Sequence, residues 1–233
     1  MKVLLYGKNG QYPNDIEATV KASGLEIVKE NPEAVITFGG DGTFIGSERD
    51  YPEIPKFPLK NSAVCHICST LPNETLIHKI AEGKTRSKTF LKITTEVNGQ
   101  ILTSLNEIAI RNKIQNITLR FRITTDPSNE QVPKDELIGD GVIISTPFGS
   151  TGYYYSSTRN FFSEGIGLAF NNIHNADPKP LVLSETSTIT VTLTRGSALL
   201  SSDNDPRIVE IFEGQTIVIK KSPNYATLLE PLS

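Results

Sequence analysis

A chain of 233 residues can bury a sizeable core, as one large domain or two small ones. Hydrophobic residues at 37% and charged residues at 21% exclude a disordered or membrane-embedded chain. The formal net charge of −3, with no block of Lys and Arg, argues against a nucleic-acid binder; a small anion remains open, because backbone amides bind phosphate without net positive charge.

Met1 to Gly7 holds an apolar run too short for a signal peptide, and no stretch approaches the ~20 apolar residues of a membrane span. The expectation is a cytoplasmic protein with no membrane partner. Lys2 to Tyr6 reads as a buried strand, Asp15 to Ala22 as a short helix, and Leu25 to Val28 and Ala34 to Phe38 as further strands. Gly39-Gly40-Asp41-Gly42-Thr43 follows directly. Another strand is expected over Ala63 to Ile67, and Asn73 reads as the N-cap of a helix running to Glu82. Strands alternating with helices predict a parallel sheet covered by helices.

From about Leu91 the period becomes two. Ile117, Leu119, Phe121 and Ile123 alternate with polar residues, as do Ile189, Val191 and Leu193, and Ile217 to Ile219 begins another strand. Half-buried strands of this kind predict an antiparallel sheet or sandwich. The expected fold is therefore α/β plus all-β, with an N-terminal parallel-sheet α/β domain over 1–88 and a β-rich, sandwich-like domain over 89–233. The polar run Lys84 to Lys88 marks the boundary.

The two cysteines, Cys65 and Cys68, form a Cys-x-x-Cys pair. A structural zinc needs four ligands, and His78 and His174 are isolated. The expected role is small packing residues in a buried strand and loop, with no metal site and no disulfide framework.

Two segments carry chemistry. Gly39 to Thr43 lies at the carboxyl end of a strand, where open α/β sheets bind ligands, and its glycines let backbone N–H groups approach phosphate. No Lys follows them, so it is not a Walker loop. Asp41 in that run is able to accept a proton, or merely to cap the turn. Further on, Gly139-Asp140-Gly141-Val142-Ile143-Ile144-Ser145-Thr146-Pro147-Phe148-Gly149-Ser150-Thr151-Gly152-Tyr153 runs a strand into a turn dense in hydroxyls, suited to a base or ribose. Leu105 and Ile108 flank Asn106 and Glu107, a half-buried polar pair whose partners a ligand would supply. Tyr153, Tyr154 and Tyr155 cannot all face one pocket.

In this order the motifs resemble the NAD kinase family, from the strand at Ala34 to about residue 205. The late Pro180 to Leu183 and Ser202-Asp203 segments resemble that family too. The resemblance implies an NAD kinase-like fold and an ATP-dependent phosphotransferase making NADP from NAD. Asp41 would be the base on the adenosine-ribose 2′-hydroxyl, and Gly39, Gly40, Gly42 and Thr43 would bind phosphates in a donor-binding domain. Asn106, Glu107, Thr151, Gly152, Tyr153 and Ser156 would bind the adenosine end of NAD, with Asp140 toward the nicotinamide. It implies Mg²⁺ arriving with ATP and a homodimer or homotetramer.

Four segments depart from the family pattern. Residues 61–70 lack its Gly-rich run, Thr158-Arg159-Asn160 replaces Gly-Gly-Pro, Ile173-His174-Asn175 replaces Pro-His-Ser, and Asn204 stands where Gly is usual. These leave two other readings: a nucleotide-binding protein without phosphoryl transfer, and a related kinase acting on another hydroxyl, such as a lipid's.

Overall fold

Apolar runs at the start of the chain become strands covered by helices. In the computed structural model, which describes residues 1–8, 11–61 and 65–232, the first unit is built from β1 (Lys2–Gly7), α1 (Asn14–Ala22), β2 (Glu26–Ile27), β3 (Ala34–Gly39), α2 (Asp41–Asp50), β4 (Lys56–Lys60), α3 (Asn73–Ala81) and β5 (Thr85–Phe90). The second unit carries β6 (Ile93–Val97), β7 (Gln100–Ser104), β8 (Glu107–Asn112), β9 (Leu119–Asp126), β10 (Leu137–Gly139), β11 (Gly141–Ser145), α4 (Tyr153–Thr158), β12 (Ile166–Asn171), β13 (Leu181–Leu183), β14 (Thr188–Arg195), β15 (Ser197–Ser202), β16 (Val209–Phe212) and β17 (Thr216–Lys221). A last strand, β18 (Ala226–Pro231), returns to the first unit.

The first sheet has the order β2-β1-β3-β4-β18-β5. The strands from β2 to β18 pair in parallel, and β5 closes one edge antiparallel. Ala34 to Phe38 are all buried, as a parallel strand covered on both faces requires. Ile16 and Val20 of α1, with Leu76, Ile77 and Ile80 of α3, pack against Val3, Ile36, Phe38, Phe57 and Leu59. Each such side chain contributes about 1.5–3 kcal/mol.

The helix α2 escapes pattern reading because Gly42, Gly46 and Ser47 weaken its propensity. Burial of Phe44 and Ile45 holds it down instead. Its C-terminal half is tied to β4 by a buried ion pair: the Nζ of Lys56, fully buried, donates to the Glu48 carboxylate and to the Tyr51 carbonyl at 2.7 Å. Lys56→Met is expected to destabilise the protein by about 3 kcal/mol, because Glu48 keeps its burial and loses its countercharge. Exchanging both residues for apolar ones of similar volume should recover most of that loss in a urea titration.

Three expectations change here. The fourth strand is Lys56–Lys60, whereas Cys65 to Ile67 form an irregular bend and Ala63 and Val64 lie outside the described residues. Pro58 and two lysines disguised the strand, since proline gives no ladder N–H and lysine ordinarily marks solvent. Asn73 is the first residue of α3 rather than its cap; its amide bonds both the N–H and the carbonyl of Lys60 at 3.0 Å. The tail from Tyr225, expected within 89–233, belongs to the first unit. It does so because β18 finds ladder partners along the whole of β5, from Ala226 opposite Phe90 to Pro231 opposite Thr85.

In the second unit two antiparallel sheets, ordered β10-β9-β14-β17-β6-β7 and β13-β12-β11-β8-β15-β16, face each other as a sandwich. Leu119, Phe121, Ile123, Ile189, Val191 and Leu193 of one meet Ile108, Ile110, Val142, Ile144 and Leu168 of the other. Ile117, expected in the alternation, lies before β9 and is half exposed. The alternate residues of β8 and β11 point to the opposite face, where Ala109, Ile143 and Ala169 carry Tyr154 of α4.

Candidate functional site

The site residues fall into two local clusters, one in each unit. In the first unit, Gly39 closes β3 and Gly40 precedes α2, so Asp41, Gly42 and Thr43 form the first turn of a ten-residue helix rather than a free loop. Backbone N–H groups at such a terminus, with the positive end of the helix dipole, suit phosphate oxygens. Gly39 is constrained by contact: a Cβ there would come within 2.1 Å of Thr43 Oγ1.

Asp41 is gripped by one neighbouring turn. Its Oδ1 accepts the N–H groups of His66 at 3.0 Å and Ile67 at 3.3 Å, and its Oδ2 stands 2.8 Å from His66 Nδ1. That turn is closed by a disulfide between Cys65 and Cys68, which overturns the reading of two small packing thiols in a strand. The physical reason is backbone shape. In a strand residues three apart would be separated by roughly 10 Å; the bend brings the two Cα atoms to 5.5 Å, within disulfide range.

In the second unit, Asp203 joins motifs that lie far apart in sequence. Its carboxylate accepts the N–H groups of Leu105 at 2.7 Å, Asn106 at 2.8 Å and Glu107 at 3.1 Å. Its own N–H donates to the Glu107 carbonyl at 3.0 Å. The backbone before β8 is thus moulded by the turn after β15, with Ser104 and Ser202 sharing a hydroxyl bond beneath it. Glu107 begins β8, is 6% exposed, and among the described residues its Oε2 has no hydrogen-bond partner. Burial, reinforced by the nearby Asp203 charge and opposed by Arg111, pushes its carboxyl up to about 8. Burial likewise raises Asp203 to about 6, against the pull of its three backbone donors.

The hydroxyl-rich turn serves mostly to build this arrangement. Thr146 Oγ1 donates to the Leu105 carbonyl at 2.5 Å and accepts the Gly149 N–H at 3.1 Å. Thr146 N–H donates to the Asn106 carbonyl at 2.8 Å, and Ser145 Oγ donates to the same oxygen at 3.3 Å. Ser150 Oγ reaches the carbonyls of Pro147 and Phe162. These three side chains, expected to face a base or ribose, are buried and committed to backbone. Gly149 lies so close that a Cβ would sit 2.2 Å from the Asn106 carbonyl oxygen.

Gly152 approaches Glu107, since a Cβ on it would lie 3.6 Å from Glu107 Oε2. Tyr153, half exposed, has the Arg111 guanidinium 4.7 Å from its ring centre. Tyr154 is the core member of the three tyrosines, stacked edge-on against Phe162, while Tyr155 is exposed. Thr151 is exposed, and Ser156 donates its hydroxyl to the Tyr153 carbonyl at 2.8 Å. Asn106, Glu107, Gly152 and Asp203 therefore gather at one end of β8 and β11, while the Tyr153 ring lies over Arg111 farther along β8. Asp140 does not join them. It precedes the start of β11, roughly 17 Å away along the strand, and there it accepts from Asn172 Nδ2 at 2.7 Å and Asn112 Nδ2 at 3.5 Å.

A family model described as the ATP-NAD kinase C-terminal domain matches residues 105–230, a span that holds the whole of this second cluster. This chain belongs to the NAD kinase family. An NAD kinase of Clostridium botulinum (strain Eklund 17B / Type B) is 28% identical over 210 residues, covering 84% of this chain and 72% of the relative. Among solved structures, an NAD kinase from Archaeoglobus fulgidus in complex with ATP superposes with a TM-score of 0.82 at 22% identity, over 99% of this chain and 94% of that one. Yeast NADH kinase complexed with NADH gives 0.82 at 14% identity, over 98% and 83%. The α/β plus β-sandwich architecture is thus the NAD kinase fold.

Set against the NAD kinase motifs, two of the departures have local explanations. Arg159 ends α4 at φ 59°, the left-handed conformation that glycine adopts freely. In the late turn the left-handed residue is Asp203, at φ 49°, so Asn204 is not the position that demands glycine. Sequence reading missed three contributors: Asp203 as organiser of Asn106 and Glu107, Arg111 over Tyr153, and His66 on Asp41. Only the Ser202-Asp203 resemblance signalled any of them.

Proposed function

We propose that this chain is an ATP-dependent NAD kinase that transfers the γ-phosphoryl group of ATP to the adenosine-ribose 2′-hydroxyl of NAD, giving NADP and ADP. The observation that carries the reading is the assembly of Asn106, Glu107, Gly152 and Asp203 within the segment matched by the family model. The names of the relatives, and the ATP and NADH held by two structural neighbours, support it.

In this reaction the 2′-oxygen forms a bond to the γ-phosphorus. The bond from that phosphorus to the β–γ bridging oxygen breaks, and its electron pair leaves with ADP. The hydroxyl proton goes to the Asp41 carboxylate. Phosphoryl transfer asks little covalent chemistry of the protein beyond alignment, charge neutralisation and a proton acceptor. The first turn of α2, with Gly39, Gly40, Gly42 and Thr43, is assigned to the phosphates. Glu107, held as a neutral acid near pH 7, offers an O–H donor and a carbonyl acceptor to the adenosine, and Tyr153 offers a ring face. Thr151 and Ser156 are assigned to the same end, and Asp140 to the nicotinamide end.

Magnesium would supply charge neutralisation on the phosphates. Asp41 fits such an ion chemically as a hard oxygen donor and would help to hold it. A homodimer or homotetramer and a cytoplasmic location rest on the family resemblance. Among the described residues no helix is long and apolar enough to cross a membrane.

The test is NADP formation by the purified chain with ATP, Mg²⁺ and NAD, read with an NADP-specific dehydrogenase. NADP accumulating with equimolar ADP is the expected result. Binding of NAD without NADP formation would overturn the catalytic reading.

A further inference from the structure

The described turn Cys65 to Cys68 carries His66 onto Asp41, and no part of the family motif accounts for that contact. Two donors of one residue reach one carboxylate: the His66 N–H lies 3.0 Å from Oδ1, and the ring Nδ1 lies 2.8 Å from Oδ2. The turn is clasped by the Cys65–Cys68 disulfide, so backbone and ring approach Asp41 from a fixed base. Asp41 is 28% exposed and His66 69% exposed. An imidazole so open to water gains little from burial, which leaves its hydrogen bond as the reason for its place.

We propose that His66 is a positioning residue for phosphoryl transfer: its Nδ1–H donates to Oδ2 and, with the backbone N–H on Oδ1, fixes the plane of the Asp41 carboxylate. A short acidic side chain at a solvent-exposed helix start otherwise samples several rotamers, and each departure from the reactive geometry lowers the rate. His66 keeps its ring proton throughout; the hydroxyl proton passes to Asp41 and then to water. The proposal rests on Asp41 being the proton acceptor of an NAD kinase.

The experiment compares steady-state NAD kinase activity of the whole chain with His66→Ala, His66→Asn and Asp41→Asn. Asn sets its amide Nδ2 close to where the ring Nδ1 stands, and so restores the donor without the ring. His66→Ala is expected to lower kcat by about tenfold, the worth of one charge-assisted hydrogen bond, with KM for NAD and ATP unchanged. His66→Asn is expected to regain most of that loss. Two results overturn the proposal while leaving the kinase reading intact: wild-type kcat in His66→Ala, or His66→Asn as slow as His66→Ala. Undiminished kcat in Asp41→Asn would instead remove the proton-acceptor reading on which the proposal stands. Because His66 is exposed, melting temperatures should match across the His66 variants.

Discussion

Asp41→Asn is expected to lower kcat for NADP formation by about 10²–10⁴-fold, the range a positioned general base contributes. Both KM values should stay close to those of the wild type, because the substitution removes an interaction made in the transition state. Asparagine preserves the local structure. Its Oδ1 still accepts the N–H groups of His66 and Ile67, and its Nδ2 can face His66 Nδ1 once the imidazole changes tautomer. The helix start should therefore survive, and the melting temperature should move little. Steady-state kinetics beside a thermal melt decides the matter. A wild-type rate would show that Asp41 only anchors the turn at His66 and Ile67. A large fall in melting temperature with a proportionate loss of both kcat and substrate affinity would assign it to structure instead.

Glu107→Gln is expected to stabilise the protein against alkaline conditions while sparing NAD binding at pH 7. The carboxyl of Glu107 titrates at 4.5 when unperturbed and at about 8 in the folded chain. Below pH 4.5 it is protonated in both states, and folding carries no penalty. Between 4.5 and 8 the folded chain binds a proton that the unfolded chain has released, so stability falls as pH rises. Above 8 the whole cost is present, on the order of 5 kcal/mol, since each pH unit separating the two values is worth about 1.36 kcal/mol. Asp203, raised to about 6, adds a slope of the same sign at the acid end of that window.

Glutamine keeps the shape and does not titrate, so urea midpoints at pH 5 and pH 9 should differ much less in the variant than in the wild type. The protonated acid and the amide each present one donor edge and one acceptor edge. NAD affinity at pH 7 should accordingly persist in Glu107→Gln, while Glu107→Ala is expected to lose about tenfold to a hundredfold. Equal pH dependence in wild type and Glu107→Gln would mean that Glu107 ionises freely, and the neutral-acid role would fall.

Much of this protein is determined by local pattern. The runs Lys2 to Tyr6 and Ala34 to Phe38 form strands because they are too short for a buried helix and satisfy their backbone in a covered parallel ladder. The alternation in Ile189, Val191 and Leu193 specifies a strand with one buried face, since side chains in a strand alternate sides. The Gly-Gly-Asp-Gly-Thr and Ser-Thr-Pro-x-Gly-Ser-Thr runs were legible as motifs because their residues are consecutive. Tertiary structure alone decided what those motifs touch. Lys56 reads as a surface residue until Glu48 meets it in the interior. The hydroxyls of Ser145, Thr146 and Ser150 look like ligand donors until the carbonyls of Leu105, Asn106 and Phe162 claim them. Asp203 shapes Asn106 and Glu107 across nearly a hundred positions, and His66 reaches Asp41 across a strand and a helix. Hydrogen bonding depends on distance and angle in space. A sequence states which donors and acceptors exist, and only the closed fold settles which of them meet.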